Sequence, residues 1–165
     1  MNIFYLHSNP QLCAEMHCDK HVCKMIIEYA QLLSTAHRVL DGDDNCPAHL
    51  YKIAHRNHPS TIWVRQHVDN YLYVRDLWLY LCCEYTRRYD KIHLTQTKLQ
   101  DILFNPPDNI TSSGVADPLP LCMPDEYKLD NPIDSYRLFY RLDKVDFATW
   151  KQPSIKPSFM EGEYA

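Results

Sequence analysis

Three ionisable residues, His21, Lys24 and Glu28, are spaced by three and then four positions in a segment whose apolar residues repeat with a helical period. Residues three and four apart lie on one face of a helix, so we expect the three side chains to point the same way. A carboxylate and an imidazole that face one cavity are suited to general acid–base catalysis. In such a cavity the Lys24 ammonium would also influence the ionisation of Glu28.

This polar line extends along a helix that we predict for residues 19–40. Its further members are His17, Gln31, Thr35 and Arg38. The adjoining lines are apolar and consist of Val22, Met25, Tyr29, Leu32, Ala36 and Val39, and of Cys23, Ile26, Ala30 and Leu33. A solvent-facing surface is normally broad, so a narrow polar line indicates a helix that is packed on most sides. Its polar residues then border a pocket or form a buried network, and full solvent exposure of the line is the alternative.

A second polar cluster, residues 55–59, precedes another predicted helix and is followed by Arg65. Free backbone N–H groups at a helix start favour anions such as phosphate. His58 could bind an anion there or act only as a helix cap. Arg65 could extend the anion site or face solvent.

A third cluster is aromatic and basic and lies near the end of the chain. It comprises Tyr136, Arg137, Phe139, Tyr140 and Arg141, with Lys144 and Trp150 beyond them. Aromatic residues interleaved with arginine can stack on bases and hold phosphates. The alternative is an ordinary core with a solvated face.

Helical periodicity dominates the chain, and strand alternation is scarce. Besides residues 19–40, we predict a short helix from Pro10, a long helix from 58 to about 90, a shorter helix at 95–104, and a final helix from 132 to 143 that could continue to Trp150. Residues 2–7 could be extended, and residues 105–132 are a proline-rich irregular segment. The elements predict an all-α fold, a compact single-domain helical bundle over residues 1–165 with two long helices and a C-terminal aromatic helix.

Composition narrows the class of protein. With 45% apolar and 23% charged residues the chain is typical of globular proteins, and no apolar run approaches a membrane span. The net charge of −4 argues against a non-specific nucleic-acid coat but permits a local basic groove. Seven cysteines without a CxxC pair favour reduced thiols, and therefore a cytoplasmic protein. No glycine-rich phosphate loop is present, and we expect no cofactor.

Four motifs together resemble the pyrimidine-dimer DNA glycosylase family, the endonuclease V type encoded by some bacteriophages, and its bacterial relatives. They are Asp19-Lys20-His21 followed by Glu28, His58-Pro59 with Trp63-Val64-Arg65, the helix end from Cys83 to Arg88, and the aromatic segment Tyr136–Tyr140. The resemblance implies a helical domain that bends DNA, flips a nucleotide out and cleaves its N-glycosidic bond. It places the catalytic acid/base at Glu28 and the helix histidine at His21. A carboxylate there would stabilise the positive charge that develops on the sugar.

The resemblance also predicts the partner and its contacts. We expect a monomer that binds damaged or modified duplex DNA in the cytoplasm of a phage-infected host, with no membrane association. The predicted DNA-binding residues are His58, Arg65, Arg38, Arg87, Arg88, Tyr136, Arg137, Tyr140 and Trp150.

One departure concerns the nucleophile. Known members use the α-amine of a small residue that is exposed when the initiator methionine is removed. Here residue 2 is Asn2, a larger residue expected to hinder that removal. The nucleophile could then be the amine of Met1, the amine of Lys24, or water without lyase activity.

Two other classes of function remain open. His17 and His21, or His55 and His58, have spacings that could hold a metal, although HExxH and CxxC are missing, so we predict no metal site. The protein could also be a non-enzymatic phage protein that binds a host partner through its proline-rich segment. A pocket lined by the polar line favours the enzyme, and solvent exposure of that line favours the binder.

Overall fold

The computed structural model describes residues 1–161, and they form an all-helical bundle, as predicted. Its helices are α1 (Pro10–Met16), α2 (Asp19–Asp41), α3 (Pro59–Gln66), α4 (Val68–Tyr89), α5 (Leu94–Leu103) and α6 (Pro132–Asp143). Within the described part of the chain, residues 2–7 form neither a helix nor a strand. No helix among residues 1–161 is both long and apolar enough to cross a membrane.

Helix α2 lies at the centre of the bundle and packs against α3, α4 and α5. Its apolar lines are buried as predicted, with Val22, Ile26, Tyr29, Ala30 and Leu33 fully inaccessible to solvent. The helix ends where the sequence predicted, at Gly42, whose φ of 96° is a conformation that other residues rarely adopt.

The helix predicted for residues 58–90 is wrong as a single element, because the chain breaks it at His67. The backbone of His67 is extended (φ −149°, ψ 146°), and its ring Nδ1 accepts the N–H of Asp69 at 3.2 Å. The N–H of Val68 donates to the carbonyl of Thr111 at 2.8 Å. The histidine therefore caps α4, and the loop carbonyl replaces the helical acceptor that the first N–H of α4 lacks.

Helix α6 begins at Pro132 with Asn131 as its cap, as predicted, but it does not continue to Trp150. The chain turns after Asp143 and docks on the start of α2 through one carboxylate. The N–H of Asp19 donates to the carbonyl of Thr149 at 2.8 Å, and its carboxylate accepts the Thr149 hydroxyl and the Lys151 N–H. This docking places residues 144–147 beside the first turns of α2.

Candidate active site

A cavity of about 260 Å³ opens beside the N-terminal half of α2. It is lined by Met1, Asn2, Phe4, Lys20, His21, Lys24, Met25, Glu28, Lys144 and Phe147. The residues that the sequence analysis considered for the chemistry therefore lie together at this cavity. They are Met1, Asn2, His21, Lys24 and Glu28. Its volume lies near the lower end of the range for ligand sites.

Larger cavities lie elsewhere on the molecule, but within residues 1–161 the linings of the two described next do not combine an imidazole with a carboxylate. One of about 510 Å³ lies beside Arg87 and residues 153–158, and one of about 440 Å³ lies beside Trp63 and Tyr73. Among the described residues, neither lining includes a histidine. We therefore take the smaller cavity at Glu28 as the candidate active site, because it alone of the three joins an imidazole to a carboxylate.

Glu28 and Lys24 form an ion pair at the cavity wall. Their Oε1 and Nζ atoms are 3.3 Å apart, with 20% of the Glu28 side chain and 61% of the Lys24 side chain exposed. The carboxylate is thus sheltered but reachable from the cavity, while the ammonium lies towards solvent. This arrangement suits Glu28 to stabilise a cation inside the cavity.

His21 is buried between aromatic rings. It stacks on Phe4 with ring centroids 4.3 Å apart, meets the edge of Phe147 at 5.5 Å, and its Nδ1 lies 2.8 Å from the hydroxyl of Tyr140. Burial lowers the pKa of His21 to about 3, and the ammonium groups of Lys144, Lys24 and Lys20, together with His17 whenever that ring is protonated, act in the same direction. At neutral pH the imidazole is uncharged.

The first residues of the chain are held at the cavity by a closed set of buried hydrogen bonds. The Phe4 N–H donates to the Tyr29 hydroxyl at 3.1 Å, and that hydroxyl lies 3.0 Å from Nε2 of His17. Nδ1 of His17 lies 2.7 Å from the Cys13 carbonyl, and the Cys13 thiol donates to the Phe4 carbonyl at 3.2 Å. Burial lowers the pKa of His17 to about 4, so it stays neutral. The network fixes Phe4, and with it Met1 and Asn2, beside α2.

Three lysines surround the cavity and make its mouth favourable for anions. Nζ of Lys20 lies 4.4 Å from the centroid of Phe147, and Nζ of Lys144 lies 4.4 Å from the centroid of Phe139. Lys24 is the third, and Lys144 also pairs with Asp143. Three ammonium groups beside Glu28 and Asp143 give a local positive excess that the net charge of the whole chain conceals.

His58 is the cap of α3, which confirms the capping interpretation. Its Nδ1 accepts the Ser60 N–H at 3.2 Å. Burial lowers its pKa; the N-terminal ammonium and His55 act in the same direction, and Glu28 opposes them. His58 therefore lies within electrostatic reach of the cavity. Arg65 instead donates to the Arg56 carbonyl at 2.8 Å and holds that loop.

Two of the residues predicted to bind DNA, Arg38 and Arg88, are buried and bind other parts of the protein, so the prediction is corrected for these two. The Arg38 side chain is only 8% exposed and donates to the carbonyls of Tyr51 and Leu50 and to Asp43. Arg88 is fully buried against Glu84. Both positions lie on helix faces that pack inwards, so their guanidinium groups bind the protein itself.

The aromatic cluster likewise forms core, the alternative given for it. Tyr136 and Tyr140 are completely buried. The Tyr136 hydroxyl donates to the Pro120 carbonyl at 2.9 Å, and Arg137 donates to the Leu6 carbonyl at 2.9 Å. The partly buried indole of Trp150 donates to the Met16 carbonyl at 3.2 Å. The rings of Tyr136 and Tyr140 are therefore not accessible for stacking on a base.

Arg87 lies away from the cavity, at the end of α4. Its side chain is 42% exposed and pairs with Glu84. Sequence reasoning missed Phe4, Lys20 and Phe147 as cavity residues. Lys20 is adjacent to His21 on α2 and could have been found from that spacing, whereas Phe4 and Phe147 reach the cavity only through tertiary packing.

The histidine pairs considered as metal ligands are engaged otherwise. His17 and His21 each lie within hydrogen-bonding distance of a tyrosine hydroxyl. Within residues 1–161, no three His, Cys, Asp or Glu side chains are grouped so that they could hold a metal ion.

Comparison with known proteins gives one match. A protein-family model described as pyrimidine dimer DNA glycosylase matches residues 1–97 of the 165-residue chain. The matched part includes His21, Lys24 and Glu28 and ends inside α5. No curated protein and no solved structure shows significant similarity to the chain.

Proposed function

The chain belongs to the pyrimidine dimer DNA glycosylase family, and from that premise we propose that it cleaves the N-glycosidic bond of a damaged or modified base in DNA at the cavity that contains Glu28. Membership implies a DNA glycosylase-type activity on pyrimidine dimers, with DNA as the partner. The observation that carries the proposal is the sheltered Glu28 carboxylate in a cavity with a neutral imidazole and a rim of three lysines.

Glu28 acts on the sugar. Cleavage of the bond between C1′ and the base builds positive charge on the sugar ring, and a carboxylate on the cavity wall stabilises that charge. The ion pair with Lys24 holds the Glu28 carboxylate in place at the cavity wall. A side chain of this kind typically contributes about 10²–10⁴-fold to the rate.

The lysine rim binds the phosphates that flank the flipped nucleotide. Lys20, Lys24 and Lys144 surround the cavity opening, and each can neutralise one phosphate. Contact through only a few such residues explains how an acidic protein can bind DNA. Because a base inside a duplex cannot enter a cavity of this size with its partner, the nucleotide has to be extruded.

The α-amine of Met1 is the favoured nucleophile for an associated lyase reaction. Met1 lines the cavity beside Glu28. An α-amine is less basic than a lysine amine by more than two powers of ten, so more of it is neutral and nucleophilic near pH 7. Lys24 is a weaker candidate, because its side chain is 61% exposed and its ammonium is paired with Glu28.

An assay for glycosidic cleavage tests the activity, and borohydride trapping tests the nucleophile. Purified protein is incubated with duplexes that contain one cyclobutane pyrimidine dimer, one other damaged or modified base, or none, and with free nucleotides. In the duplexes, cleavage is scored as an abasic site that alkali converts into a strand break, because a base cut from its sugar in a dimer stays attached to its neighbour. We expect cleavage at the dimer or a modified base and none in undamaged DNA. A covalent adduct mapped to Met1 by mass spectrometry supports the amine route; an adduct on Lys24 contradicts the assignment, and cleavage without an adduct indicates water.

The polar line bears on the rival hypothesis of a non-enzymatic binder. Its first members, His21 and Glu28, border a cavity rather than facing solvent in full. This placement favours the enzyme. If the glycosidic bond is cleaved in none of the substrates, the binder becomes the better explanation.

A further inference from the structure

The hydroxyl of Tyr140 has two polar neighbours that together determine its proton. It accepts the backbone N–H of Cys18 at 2.8 Å and lies 2.8 Å from Nδ1 of His21. A backbone N–H can only donate, so the Tyr140 oxygen is the acceptor in that bond. Its own proton is left for His21, since an imidazole nitrogen is a much better acceptor than the nearby Cys18 thiol.

The bond from Tyr140 determines which ring nitrogen of the neutral His21 carries the hydrogen. With Nδ1 accepting from Tyr140, the neutral ring carries its hydrogen on Nε2. His21 lines the cavity, and Nδ1 is turned towards Tyr140, so Nε2–H is the ring group available to a substrate. The stack on Phe4 and the edge contact with Phe147 hold the plane of the ring.

The groups around His21 disfavour its protonated form. Positive groups face it from two elements: Lys20 and Lys24 from α2 itself, and Lys144 from the turn after α6; His17, at the end of α1, also faces it but is neutral. Glu28 is the carboxylate that lines the same cavity. Burial and these cations disfavour the imidazolium, so the ring serves as an uncharged hydrogen-bond donor.

We propose that Tyr140 is a positioning residue for base excision: its hydroxyl holds His21 in the Nε2–H tautomer, so that His21 donates a hydrogen bond to an oxygen of the extruded nucleotide. The proposal rests on the proposed function for the identity of the acceptor. It concerns a residue outside positions 1–97, so the family match does not reach it. Tyr140 acts through His21 and does not itself line the cavity.

The location of the proton is tested first, on the unmodified protein. In the ¹⁵N spectrum of histidine-labelled protein at neutral pH, we expect Nδ1 of His21 to be unprotonated and Nε2 to be protonated, with His21→Gln used to assign the signals. A proton on Nδ1 overturns the proposal. This measurement does not depend on activity, so it also decides the matter if the protein cleaves no glycosidic bond in DNA, a result that would refute the proposed function instead.

Substitutions then test whether the tautomer matters. The glutamine amide in His21→Gln can place an N–H near the position of Nε2, whereas the amide in His21→Asn lies nearer to Nδ1. On a duplex with one pyrimidine dimer, we expect His21→Gln to retain at least tenfold more kcat than His21→Asn. Equal or reversed activities contradict the proposal.

Tyr140→Phe removes the hydroxyl and is compared with Tyr136→Phe. Both residues are fully buried on α6, and both hydroxyls accept a backbone N–H, but that of Tyr136 bonds to Cys122 and Pro120, away from His21. We expect Tyr140→Phe to lower kcat about tenfold with KM little changed, and to change the ¹⁵N signals of His21. Tyr136→Phe should do neither, and equal effects of the two variants would show that Tyr140 is only structural.

Discussion

The substitution Arg88→Met distinguishes two hypotheses for this residue: a contact to DNA, as the sequence predicted, and a buried structural link, as the structure shows. In the structure Nε donates to Glu84 at 3.0 Å, Nη1 to the His17 carbonyl at 2.8 Å and to Asp19 at 3.0 Å, and Nη2 to the Glu15 carbonyl at 3.1 Å. The side chain has no exposed surface. It ties the end of α4 to the junction from which α2 and its catalytic face begin.

The expected loss of stability follows from burial. Removal of one partner from a buried ion pair costs about 3–5 kcal/mol, because the remaining charge is left without compensation. Arg87 also pairs with Glu84, with Nη2 and Oε1 2.7 Å apart, so Glu84 keeps one partner. We therefore expect the lower end, about 3 kcal/mol, which for a chain of this size corresponds to a fall in Tm of roughly 6–12 °C.

Thermal unfolding followed by circular dichroism measures this fall, with Arg87→Met as the matched control. The Arg87 side chain is 42% exposed, and exposed pairs contribute about 1 kcal/mol or less, so its Tm should fall by only a few degrees. DNA affinity is measured at a temperature where both variants are folded. An Arg88→Met protein with the Tm of the unmodified chain and much weaker DNA binding would refute the buried-link interpretation.

Two further predictions concern pH and salt. The pKa values of His17 (about 4) and His21 (about 3) lie below their ordinary 6.5, so the unfolded chain takes up protons first as the pH falls below 6.5. Each histidine should lower the free energy of unfolding by about 2 kcal/mol between pH 7 and pH 5; urea midpoints measure this, and equal midpoints at the two pH values would contradict it. Lys144→Gln should reduce the slope of log affinity for DNA against log salt by about 0.7–0.9, the loss expected for one phosphate contact. Lys128→Gln, a change in an exposed ion pair away from the cavity, should leave that slope unchanged.

The central helix and the core of the site could be predicted because they depend on local spacing. The period of three and four residues that places His21, Lys24 and Glu28 on one face is a property of any helix. The apolar lines on either side indicated that this face borders a cavity or an internal network, with full solvent exposure as the alternative. The end of α2 at Gly42 followed from a residue type that tolerates positive φ.

What could not be predicted depends on contacts between distant segments. Residues 58–90 have a continuous helical pattern, and the break at His67 is stabilised by the carbonyl of Thr111, 43 residues after Val68 begins α4. A tyrosine such as Tyr140 can in general stack on a base, but here its hydroxyl forms hydrogen bonds with the backbone N–H of Cys18 and with His21. The same sequence pattern fits a core or a nucleic-acid surface, and only the tertiary contacts of Tyr140 with Cys18 and His21 distinguish them.

The conversion of Glu28 to glutamine under single-turnover conditions tests the central claim most directly. The change keeps the size of the side chain and removes its charge, and it weakens an ion pair with a largely exposed lysine that contributes about 0.3–0.5 kcal/mol, so Tm should fall by roughly 2 °C at most. Asp125→Asn is the matched control, since it breaks a similar exposed pair, with Lys128, away from the cavity.

The rate of glycosidic cleavage in a duplex with one pyrimidine dimer, scored as alkali-labile abasic sites, is measured for both variants at saturating protein. We predict a rate about 10²–10⁴-fold lower for Glu28→Gln and an unchanged rate for Asp125→Asn. Cleavage by a folded Glu28→Gln protein at the rate of the unmodified protein would contradict the assignment of this cavity as the active site.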